Sequence, residues 1–162
     1  MSEPLLVCSP LRLEARAVRR GLRGVPGAGT VRVTGYGAAR SRRAAAALAR
    51  EEFGALAVAG VGGGLTDDLA PGDLVVGTEV SDGVTTTRCP AAPLLAGELR
   101  RAGLRALAGP VVTVDRLASG PSRQTLASGG WPASGCRRSS SSRRWPRTSP
   151  RDATTCSRST WT

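Results

Sequence analysis

Glu14, Asp115 and the run Gly60, Val61, Gly62 and Gly63 are the residues of this 162-residue chain whose types and placement could do chemistry. Each stands beyond a short apolar run: Glu14 after residues 4–8 (PLLVC), the glycines after 55–59 (ALAVA), Asp115 after 110–114 (PVVTV). Such runs, bounded by glycine or proline, read as buried strands. Open α/β sheets bind ligands beyond the carboxyl ends of their strands. A carboxylate placed there can move a proton, and glycine lets a ligand come close to the backbone or lets the chain take positive φ. Each residue also has a plainer use. Glu14 falls in a first helical turn, where the dipole stabilises a carboxylate. Asp115 can cap the turn that follows it, and many strand-to-strand turns are rich in glycine.

The elements that must position these residues follow in order. Residues 4–8 predict a strand and 11–22 a helix, with Leu11, Ala15, Val18 and Leu22 recurring on one face. Residues 31–34 predict a second strand, and Gly35-Tyr36-Gly37 a tight turn into a helix over 38–50. Arg40 stands where a dinucleotide-binding fingerprint would need its third glycine. After the strand at 55–59 and the glycine loop, Pro71-Gly72 turns the chain into another strand from Leu74. A polar loop with Thr85, Thr86 and Thr87 precedes a helix over 91–102, with Leu94, Leu95 and Leu99 on one side. One or two strands follow over 104–114, then a helix start at Gly120-Pro121-Ser122. This order predicts an α/β fold of three layers, with helices on both faces of a central mixed sheet.

The chain has length for one domain with a real core. All 23 basic residues are Arg, and Lys, Ile, Asn and His are absent, as a GC-rich gene would give. The excess of Arg therefore partly reflects codon usage rather than a polyanionic partner. Cys8, Cys89, Cys136 and Cys156 are widely spaced, and with no His they form no zinc-site pattern. No basic leader precedes an apolar run, and no apolar stretch approaches the ~18 residues of a membrane span. The expectation is a cytoplasmic protein with reduced thiols, no membrane span and no metal.

Residues 1–124 read as the α/β domain and 125–162 as a separate tail of Arg, Ser, Pro and Trp. From Ala127 onward there is no Leu, Ile, Val, Met or Phe, and neither helical nor strand period. Too little apolar surface remains to offset ordering entropy, so the tail is expected to be disordered or out of frame. With C at the free third codon positions, the bases that encode Gly129-Gly130-Trp131-Pro132 read Arg-Leu-Ala in a shifted frame. Residues 136–146 can then read Leu-Pro-Ala-Val-Glu-Leu-Glu-Ser-Ala-Leu-Ala. A frameshift near residues 124–130 explains the tail. The alternative is a small basic α/β module that binds nucleic acid through Arg on phosphate and Trp on bases.

Four segments resemble the nucleoside phosphorylase/nucleosidase superfamily: residues 10–18 (PLRLEARAV), 33–48 (VTGYGAARSRRAAAAL), 57–80 (AVAGVGGGLTDDLAPGDLVVGTEV) and 111–120 (VVTVDRLASG). Within it the chain is most similar to the hopanoid-associated phosphorylases. The resemblance implies cleavage of the N-glycosidic bond of a purine nucleoside or adenosylated metabolite. Glu14 would activate water, Gly60 to Gly63 would line the ribosyl pocket, and Asp115 would shape the neighbouring wall. It implies no cofactor beyond phosphate as a co-substrate, a small nucleoside as partner rather than nucleic acid, and a homo-oligomer when intact. Val61 and Val58 stand where family phosphorylases carry Ser or Arg for phosphate, which favours hydrolysis, and Leu117 stands where many members have an aromatic residue. The family's [VA]-x-[ML]-E motif and its later base-protonating Asp do not occur in this frame, though the shifted reading places Val-Glu-Leu-Glu where the motif belongs. Groups that act together lose most of the rate when one is removed, so the chain as written is expected to be impaired.

Overall fold

In β1 (Leu5–Ser9) four consecutive residues, Leu6 to Ser9, are buried, as in a parallel strand covered on both faces. The computed structural model describes residues 4–114, 118–136 and 156–161. Val7 points to the face occupied by α1 (Arg12–Gly21), which buries Ala15 and packs Val18 and Leu22 against it. Val31 of β2 (Thr30–Val33) and Ala57 and Ala59 of β3 (Ala55–Val61) complete that cluster. The helical periodicity of 11–22 is thus realised, although Leu11 itself is exposed just before the helix.

β1 pairs in parallel with β2 on one side and β3 on the other. The chain therefore leaves β1 in one direction to form β2, then crosses back over β1 to form β3. Right-handed crossovers in opposite directions put α1 and α2 (Ala38–Leu48) on opposite faces of the sheet. They also create a switch point, where the connections diverge, at the carboxyl ends of β1 and β3.

The second half of the sheet is built on β5 (Leu74–Ser81) and β7 (Ala106–Val114), which run parallel. Alternate residues serve opposite faces. Val76 packs with Cys89 and with Ala92 and Ala96 of α3 (Ala92–Arg101), while Val75 packs with Val111, Ala133 and Leu69. Leu95 and Leu99 join the first cluster, but Leu94 is 67% exposed, so the expected three-leucine face is carried by Leu95, Leu99 and the two alanines. Residues 104–114 form one strand with an irregular register rather than two. The threonine loop contributes β6 (Thr86–Arg88), an antiparallel edge on β5. Two further short elements are β4 (Gly63–Gly64) and α4 (Pro121–Ser128).

Two strands fall in the segment expected to lack regular structure. β8 (Ala133–Cys136) pairs with β7 and β4, and β9 (Cys156–Trp161) lies between β3 and β5, parallel to the first and antiparallel to the second. Residues 137–155 lie outside the described residues. The slot between β3 and β5 would otherwise leave two rows of backbone donors and acceptors without partners, and these must be satisfied. Backbone pairing of this kind needs no side-chain period, which is why the sequence pattern gave no sign of it. The described strands form one mixed sheet, and with helices on both faces the architecture is the expected three-layer α/β/α. Among the described residues no helix is long and apolar enough to cross a membrane.

Candidate functional site

Leu11 cannot cap α1 with its own side chain, so the free N–H groups of the first turn need another acceptor. Glu14, three residues on, supplies it: its Oε2 accepts the Leu11 N–H at 2.7 Å. This is the returning half of a capping box. The other carboxylate oxygen does something that helix capping does not require. Glu14 Oε1 accepts the N–H of Val61, at the end of β3, at 2.8 Å. One side chain thus ties the first turn of α1 to the strand terminus across the switch point.

Gly60 makes this approach possible. A Cβ at that position would lie 3.1 Å from Glu14 Oε1 and 3.1 Å from Pro10 Cδ, tighter than ordinary contact. The expectation of positive φ in the glycine run is corrected here: neither Gly60, Gly62 nor Gly63 is among the glycines with positive φ. Gly60 and Val61 instead continue β3, and Gly63 pairs with Ser134 through β4. The close neighbour that excludes a side chain is Glu14. Val61 is 63% exposed, so its side chain stands at the rim of the site rather than in the core. β3 as a whole is half-buried, not the fully buried strand expected, because its alanines and glycine leave its surface open.

The capping position of Glu14 therefore leaves a chemical use open to it. Each carboxylate oxygen spends one lone pair on a backbone N–H and keeps another for a water or a hydroxyl. Gly60, Val61 and Glu14 are brought together, and Gly63 lies further along, against Ser134. Asp115 follows directly on β7 but lies outside the described residues, as does Leu117.

A groove of about 600 Å³ opens between the start of α1, the end of β2 and the start of α2; Glu14 is not among the residues that line it. Arg12, Arg40 and Arg43 line it, with Leu11, Thr34 and Tyr36. Gly35 (φ 78°) and Gly37 (φ 94°) make the tight turn expected there. The groove itself was not legible, since these arginines read as helix formers; the spacing of Arg40 and Arg43, one turn apart on a helix, was the available sign.

The buried acid Asp73 does different work. Its Oδ2 accepts the Ala70 N–H at 2.9 Å and its Oδ1 lies 3.3 Å from Arg105 Nε, which fixes the turn into β5.

No family model and no curated protein matches the chain. Solved structures do. Helicobacter pylori 5′-methylthioadenosine/S-adenosylhomocysteine nucleosidase superposes with a TM-score of 0.77 at 12% identity, covering 99% of this chain and 84% of that one. The chain has the fold of that nucleosidase. Futalosine hydrolase of the same organism gives 0.74 at 13% identity, over 99% and 87%. S-adenosylhomocysteine nucleosidase from Streptococcus pyogenes gives 0.73 at 14%, over 98% and 82%.

Proposed function

We propose that this chain is a nucleosidase-type domain that cleaves the N-glycosidic bond of an adenosine-derived metabolite by hydrolysis. The observation that carries the reading is the Glu14 carboxylate, held by the Leu11 and Val61 N–H groups at the switch point of the sheet. Oriented in this way, Glu14 takes a proton from water as the water oxygen attacks the anomeric carbon. The C–N bond breaks, and the base leaves with the electron pair and takes a proton from solvent, with the water's own proton held on Glu14. Gly60 to Gly63 offer backbone close to the sugar, and Asp115, just past β7, is proposed to shape the adjoining wall. Val61 and Val58 carry no group that binds phosphate, so water is the preferred nucleophile and phosphate the lesser alternative.

The names of two of the similar structures support an adenosine-derived substrate, and the fold shared by all three supports the reaction class. The narrower likeness to hopanoid-associated phosphorylases rests on the four sequence segments alone. A cytoplasmic setting agrees with the buried thiols of Cys8 and Cys89. Assembly into a homo-oligomer is proposed for the intact form.

The written frame of residues 125–162 lacks a ribose-binding Glu and a base-protonating Asp, and we attribute this to a frameshift. The deciding experiment is to sequence the coding DNA from the Asp115 codon onward and to assay both the chain as written and the frame-restored chain. Free adenine released from 5′-methylthioadenosine or S-adenosylhomocysteine by the restored chain, and far less by the other, supports the reading. No release by either sinks it. The 7 Arg against one acid in residues 125–162 favour the second reading, nucleic-acid binding. That reading requires an affinity that falls steeply with salt.

A further inference from the structure

Between residues 4 and 50 the chain carries ten Arg and a single acid, Glu14, whose carboxylate is held by the Leu11 and Val61 N–H groups. Codon usage accounts for the number of arginines but not for the lack of acids beside them. Half of the ten fall in α1 or just after it. Arg12, Arg16 and Arg20 recur every four residues and Arg23 follows at three, so they form one stripe along the helix. Ala15, Val18 and Leu22 turn the opposite side of α1 towards the sheet. The stripe therefore faces away from the core, and all four of its arginines are exposed. Among the described residues none of the four forms an ion pair, whereas Arg32, Arg101 and Arg105 are paired with Glu51, Glu98 and Asp73. Arg19, beside the stripe, donates to the Val31 carbonyl at 2.9 Å and so adds its charge at a fixed place.

What else lies on this face narrows the partner. Arg12 and Arg20 are about 12 Å apart along the helix axis. Like charges so close repel one another, and a surface of anions relieves that repulsion. Leu13, 78% exposed, stands next to Arg12 and one turn from Arg16, and Val25, 53% exposed, follows Arg23. A polynucleotide offers phosphate but gains little from Leu13 or Val25, and α1 carries no aromatic residue on which a base could stack. An anionic lipid surface suits both kinds of side chain. Basic groups meet its headgroups, and an apolar group enters the boundary beneath them.

We propose that the outer face of α1 docks on an anionic lipid surface, with Arg12, Arg16, Arg20 and Arg23 on the headgroups and Leu13 inserted among them. The apolar side of α1 stays packed on the sheet, so the contact is electrostatic and reversible rather than an insertion of the helix. It is independent of the reaction proposed above, since neither Arg16 nor Arg20 belongs to the site around Glu14.

The test is co-sedimentation of the full chain with vesicles of phosphatidylcholine alone and of phosphatidylcholine with about one quarter phosphatidylserine. Binding to the anionic vesicles is expected to be about tenfold tighter or more, and to weaken as salt rises. Arg16→Gln/Arg20→Gln should lower it about tenfold or more, since each basic residue near such a surface contributes about fivefold. Arg16→Lys/Arg20→Lys, which keeps the charge, should restore most of it, and Leu13→Gln should lower the binding that persists at high salt. Arg143→Gln/Arg144→Gln, in the basic tail, is the control and should lower binding less than the α1 variant does. A melting curve for each variant separates these effects from misfolding. Equal binding to the two kinds of vesicle, or none to either, overturns the proposal. A loss caused by the tail variant and not by the α1 variant also overturns it. So does an affinity for single-stranded RNA that depends on Arg16 and Arg20 and exceeds that for the anionic vesicles, which would make the partner a polynucleotide.

Discussion

Glu14 Oε1 accepts the Val61 N–H at 2.8 Å across 47 residues of chain, so the first helix and the third strand are locked at the point where the sheet's connections diverge. Removing this carboxylate tests structure and chemistry together, and the two separate by substitution. Glu14→Gln keeps the shape, but its NH₂ must face one of the two backbone N–H donors. Losing one such bond should cost about 1–3 kcal/mol. Loss of a proton-accepting group should lower the rate of base release by about 10²-fold or more. Thermal melting and a base-release assay on the frame-restored chain read the two effects. A rate that falls only in proportion to the folded fraction would make Glu14 a structural tie alone.

Gly60 and Gly63 look alike in sequence and should behave differently. Gly60→Ala places a methyl 3.1 Å from both Glu14 Oε1 and Pro10 Cδ, so the carboxylate must leave Val61 or the strand must shift. Overpacking of this kind costs about 1–3 kcal/mol. Gly63→Ala meets Ser134 Oγ at 3.5 Å, an ordinary contact. Denaturation midpoints should therefore fall for the first variant and hold for the second. The reverse order would show that Glu14 is not fixed against Gly60.

Much of the first half of the chain was legible because its signals are local. Apolar runs marked β1 and β3, the three- and four-residue spacing marked α1, and Glu14 could be seen as a first-turn acid from its position. What was not legible depends on partners far along the chain. Nothing near Glu14 announces Val61, and nothing near Arg12 announces Arg40 and Arg43, which meet it only because β1 and β2 pair. The glycine run shows the limit most plainly. Its composition suggested positive φ, whereas Gly60 is accounted for by the nearness of a side chain brought in by another element. β9 was hidden for a different reason, since a strand inserted between two others is held by backbone bonds that any residue but proline can make.

Asp73 and Arg105 give a prediction away from the site. Asp73 is 4% exposed and accepts the Ala70 N–H, so Asp73→Ala removes a buried bond that closes the turn into β5. The expected cost is about 1–3 kcal/mol. The Arg105 side chain is 66% exposed, so its ion pair is largely screened, and Arg105→Ala should cost less than about 1 kcal/mol. Urea titration of both variants checks the ordering. An equal loss from the two would mean that the ion pair, rather than the turn, holds Asp73.

β9 offers a test of whether the last strand belongs to the folded protein as written. Ser159 pairs with Ala59 of β3 on one side and Val76 of β5 on the other, so its backbone lies inside the sheet. Proline there removes a donor and is tolerated only at sheet edges. Ser159→Pro should therefore lower the melting midpoint, by the equivalent of about 1–3 kcal/mol for the ladder bond lost and the partner left unsatisfied. Arg88→Pro is the control, because β6 pairs with β5 alone and Arg88 falls between the hydrogen-bonded pairs of that ladder, so its N–H faces away from β5. If Ser159→Pro melts like the unaltered chain while Arg88→Pro does not, residues 156–161 contribute nothing to the stability of the sheet. The frame-restored sequence then becomes the better candidate for the strand between β3 and β5.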